Sequence, residues 1–81
     1  MKMQFNKGEV LDRLSKNLAN IRSVYGCSQR AMARKCHVND NMYMLWENGY
    51  VMPSAIGLLS LSEGLDISID ELLKTDIDYI H

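Results

Sequence analysis

Leu11, Leu14, Leu18, Ile21 and Tyr25 recur at intervals of three and four residues, which paints one apolar stripe along a helix. Asn6 followed by Glu9 has the spacing of a capping box, and Gly26 is a natural stop because glycine accepts a left-handed backbone. The pattern predicts a first helix over residues 7–24. Ser28 caps a second, with Cys27 and Met32 placed as a hydrophobic staple, ending near Lys35. The same signature returns at once in Val38, Asn39 and Tyr43, and the third helix closes at Asn48-Gly49. Two short helices with so brief a connection cannot lie antiparallel and must cross steeply. Pro53-Ser54 opens a fourth helix with Leu58, Leu61 and Leu65 inward. Ser68 with Glu71, and Ile67 with Leu72, open a short fifth over residues 69–74. Thr75 to His81 alternates apolar and polar residues, as an extended tail would. The expected fold is all-α, with five helices in one domain over residues 7–74 and a tail over 75–81.

Eighty-one residues leave room for one small core. No apolar run reaches the roughly 18–20 residues of a membrane span, and Met1–Lys7 lacks a signal-type stretch, so the cytoplasm is the expected compartment. Cys27 and Cys36 read as small core thiols there; with His37 they match no zinc spacing, and neither metal nor cofactor is expected. Only His37 and His81 offer imidazoles, and no nucleophile, base and orienting group assemble around either, so an enzyme is not expected.

The net charge of −1 conceals an asymmetry. Residues 1–37 hold eight Lys/Arg against two acids, a net of +6, and residues 38–81 hold one Lys against eight acids, a net of −7. Such a division lets one face meet a polyanion while the whole stays near neutral.

The stretch from Gln29 to Asn48 carries the functional signal. Met32-Ala33 puts an apolar and then a small residue where the third helix crosses the second; Cys36 and Val38 bracket the turn; Tyr43 and Trp46 share the core. These residues resemble the Cro/repressor (XRE-type) helix-turn-helix family. The likeness runs from about Leu14 to Leu73. It takes in Ser28-Gln29, the Trp46-Glu47-Asn48-Gly49 close, Pro53-Ser54, and Leu65-Asp66-Ile67-Ser68 through Leu72. It implies a phage-repressor-like DNA-binding domain with the helix-turn-helix at helices 2 and 3. It also implies double-stranded operator DNA as partner and a homodimer, whose two-fold axis would match half-sites one helical turn apart. By the same resemblance Arg22 pairs with Glu47 and clamps helix 1 to helix 3. The residues presented to DNA would be Asn39, Asp40, Asn41, Met44 and Leu45. Asn41 suits an adenine edge, Asp40 a cytosine amino group, and Met44 or Leu45 a thymine methyl. Gln29, at the start of helix 2, would meet a phosphate, and Asn48 the other side of the backbone. Charge alone adds Arg30, Arg34 and Lys16 as phosphate contacts, and Tyr50 lies in the following loop.

Three features depart from the family pattern. His37 fills the turn position usually held by glycine. Helix 3 has no Lys or Arg, and Tyr50 replaces a frequent base. Met42, Met44, Leu45, Tyr50, Val51 and Met52 make this region unusually apolar. A module that binds another protein, as an adaptor, an antitoxin or an antirepressor partner, is therefore the alternative function. Ile56 and Leu59, with Ile77, Tyr79 and Ile80, are the expected dimer surface.

Overall fold

The computed structural model describes residues 4–77. Five helices follow in order: α1 (Lys7–Tyr25), α2 (Gln29–Lys35), α3 (Asp40–Glu47), α4 (Ala55–Leu65) and α5 (Ile69–Lys74). Each begins where a short polar side chain can accept from a free amide. Asn6 accepts from Glu9, Ser28 from Ala31, Asn39 from Asn41 and Met42, Ser54 from Gly57, and Ser68 from Glu71. Gly26 ends α1 with φ 67°. The helix thus runs one residue beyond the predicted end. Asp66 ends α4 with φ 55°, a left-handed position that the sequence pattern did not single out.

α1 packs against α3 and α5, α2 against α3, and α4 against α5. Leu14, Leu18 and Ile21 of α1 meet Met32, Tyr43, Trp46, Leu61, Leu65 and Leu72 in one core. Tyr25 does not complete the inward stripe. It is about half exposed, and Lys35 Nζ stands 4.9 Å from its ring centroid. Leu58 is half-buried rather than central.

Past α5 the chain is tied along α1. Asn17, itself buried, donates through Nδ2 to the carbonyls of Leu72 (2.9 Å) and Thr75 (2.8 Å), and its Oδ1 accepts from the Ile77 amide (2.8 Å). Asn20 donates to the Ile77 carbonyl, and Arg13 to the Leu73 carbonyl and Asp76. Ile77, expected on a dimer surface, is instead half-buried against the core of its own chain. Tyr79 and Ile80 lie outside the described residues. Among those described, no helix is long and apolar enough to cross a membrane.

Candidate nucleic-acid interface

α2 and α3 are joined by Cys36, His37, Val38 and Asn39. His37 takes φ 57°, the left-handed conformation that its sequence position requires and that histidine tolerates better than β-branched residues do. The Val38 amide closes the turn by donating to the Ala33 carbonyl (3.0 Å). Cys36 is buried beneath it, which pushes its thiol pKa up.

The inner side of α3 is anchored in two ways. Tyr43 and Trp46 sink into the core. Glu47, only 8% exposed, collects donors from three elements. Arg22 donates through Nε to Oε1 (2.8 Å) and through Nη2 to Oε2 (2.8 Å), the parallel fork of a guanidinium on a carboxylate. Gln29 Nε2 adds a bond to Oε2 (3.0 Å), and the Tyr43 hydroxyl adds one to Oε1 (2.8 Å). The remaining Arg22 Nη1 donates to the Cys27 carbonyl (3.0 Å). Burial pushes the Glu47 carboxyl up, but the bonds from Arg22, Gln29 and Tyr43 outweigh it and hold the group below its ordinary value of 4.5. Burial and the bond to Glu47 push Tyr43 far above the ordinary phenol value, so its hydroxyl keeps its proton.

The outer side of α3 stands clear. Asn39, Asp40, Asn41, Met44 and Asn48 are exposed, Leu45 is half-buried, and Tyr50 projects from the loop after α3 with 73% exposure. Their chemistry is narrower than their names suggest. Asn39 Oδ1 already accepts from the Asn41 (2.9 Å) and Met42 (3.1 Å) amides, so its side chain has only its N–H groups to offer. Gln29 spends one amide hydrogen on Glu47. Asp40 Oδ2 is paired with Arg30 Nε at 3.2 Å. Lys16 is paired with Asp12 on α1 (3.0 Å), whereas Arg34 lies exposed on α2. Sequence reasoning missed the second roles of Gln29 and Tyr43. The only signal for either was spacing: Tyr43 precedes Glu47 by one helical turn.

A four-residue turn between two short helices that pack on one another, with the second presenting a free polar and apolar face, defines a helix-turn-helix. The helix-turn-helix family model matches residues 25–72, more than half of the chain. The chain belongs to this family, of XRE type, a class of DNA-binding regulators. The crystal structure of a hypothetical transcription factor from Neisseria, NHTF, superposes with a TM-score of 0.72 over 90% of this chain and 85% of that one. At 18% identity the likeness is one of fold. No curated protein matches this chain.

Proposed function

We propose that this protein regulates transcription by binding a specific duplex sequence, in the manner of a repressor, with α3 seated in the major groove. The observation that carries this reading is the division of α3. Tyr43, Trp46 and Glu47 hold one side while Asn39, Asn41, Met44 and Leu45 line the other. A helix held along one side in this way fits the groove, and Asn41 has the amide geometry for an adenine edge. Gln29, fixed by Glu47, keeps a second amide hydrogen for a phosphate. Asn48 and Tyr50 flank the helix on its far end. Ile56 and Leu59, 72% and 56% exposed on α4, support a homodimer through that helix, working in the cytoplasm on a two-fold operator.

α3 has no cation, and Met42, Met44, Tyr50 and Val51 are exposed around it. That surface suits an apolar protein partner better than phosphates.

Duplex binding measured across a salt series separates the two. The DNA reading expects log K to fall steeply with log salt, by about 0.9 for every phosphate neutralised. Absence of binding to any duplex at low salt would leave the protein-partner reading in its place.

A further inference from the structure

Arg30 is the second residue of α2 and Asp40 the first of α3, and their ion pair bridges the two helices across the turn. The side chains are 71% and 46% exposed, so the pair sits in solvent at the N-terminal end of the free face of α3. α3 supplies no cation of its own. Arg22 cannot substitute, because its Nε and Nη2 are on Glu47 and its Nη1 on the Cys27 carbonyl. Arg30 is therefore the guanidinium this fold brings beside the start of α3, and Asp40 occupies it.

We propose that Asp40 sets specificity by withholding Arg30 from DNA phosphates until the duplex offers the carboxylate a donor of its own. The inference rests on the DNA-binding reading above. Non-specific association is built from phosphate neutralisation. On a duplex with no donor in reach, freeing Arg30 gains one phosphate contact but leaves a bare carboxylate facing a polyanion, and the two effects oppose each other. Where a cytosine amino group lies in the major groove opposite Asp40, both charges find new partners: the carboxylate accepts from the base and Arg30 moves to a phosphate. One exposed ion pair is exchanged for two charge-assisted bonds. Such a pair is weak enough to exchange on encounter. The device lowers binding to arbitrary sequence and spares binding to the correct one.

The test compares the wild-type protein with Asp40→Asn, Arg30→Ala and the double variant on a random-sequence duplex over a salt series. Asp40→Asn is expected to bind about threefold tighter or more, within the range by which an exposed pair holds its partners. Its salt slope should steepen by about 0.9, one further phosphate contact. In the Arg30→Ala background the same substitution relieves the carboxylate's repulsion but adds no phosphate contact, so the slope should stay unchanged. Sequences selected from a random pool by the wild type should favour cytosine at one position where those selected by Asp40→Ala, which has no acceptor, do not. A slope that steepens equally in both backgrounds, or identical selected sequences, would overturn the proposal while leaving DNA binding intact. Failure of all four proteins to bind any duplex at low salt would overturn the DNA reading and this inference together.

Discussion

Trp46 and Gly57 meet so closely that a Cβ on the glycine would stand 2.9 Å from both Cζ2 and Cη2 of the indole. Seven residues on, Gly64 repeats the relationship with the end of α2 and the turn after it: a Cβ there would lie 2.7 Å from Cys36 Cα, 2.9 Å from its Sγ and 3.0 Å from the Lys35 carbonyl oxygen. α4 thus touches the helix-turn-helix with bare backbone at two points two turns apart. Gly57→Ala asks a ring to shift; Gly64→Ala asks backbone to shift. We expect losses of about 1–2 and 2–3 kcal/mol respectively, the range of overpacked cores. Denaturant midpoints at constant m-value measure both. A Gly64→Ala protein as stable as the parent would show that α4 docks differently.

Glu47→Gln keeps the shape of the clamp and removes its charge, leaving the Arg22 guanidinium without its counterion. Arg22 is 29% exposed in its side chain, so solvent recovers part of the loss, and about 2–3 kcal/mol is expected at neutral pH, below the range for fully buried pairs. The pH dependence follows from the lowered pKa of Glu47. A carboxyl whose folded pKa lies below its unfolded one stabilises the fold fully above the unfolded value, near 4.5, and loses that contribution as pH falls through the folded value. Thermal melts of wild type and Glu47→Gln should therefore differ by a constant amount at neutral pH and converge as the solution is acidified below about 4.5. A gap that widens on acidification would contradict this.

Asn17→Ala strips partners from two carbonyls and one amide at the end of α5. With about 1 kcal/mol for each bond, a loss of about 2–4 kcal/mol is expected. Hydrogen exchange localises it: the Ile77 amide should lose protection ahead of the α1 core. Unchanged exchange at Ile77 would mean that the tail is held some other way.

On DNA, Asn41→Ala should relax preference at one base position, by about 1–3 kcal/mol of discrimination. Gln29→Ala should weaken all sequences alike. Binding profiles over a library of duplexes check both, and the reverse pattern would exchange the two roles.

The helices are legible because each announces its start locally: Asn6, Ser28, Asn39, Ser54 and Ser68 cap amides two or three residues on, and a cap depends on nothing distant. Even the left-handed turn at His37 could be placed, since its neighbours fix its position in the motif. Only the family resemblance pairs Arg22 with Glu47, since residues 25 positions apart share no local pattern. What escaped was long-range and polar. Asn17 sits on the amphipathic stripe's edge and reads as an ordinary surface amide, yet it joins residues 55–60 positions away. Gln29 and Arg30 read as phosphate ligands, because nothing local reveals that Glu47 and Asp40 reach them first. Gly57 and Gly64 look like helix-weakening residues until the helices that crowd them are in place. The side chains proposed to face DNA are the hardest to assign, since an exposed residue has no packing partner to declare its role.

The division of α3 has a consequence for how such a protein can diverge. Tyr43, Trp46 and Glu47 carry the folding obligations of the helix, and Asn41 and Met44 carry none of comparable weight. New outward residues can be installed by point substitution without renegotiating the scaffold. The helix works as an interchangeable key blank, cut on one edge and gripped by the other.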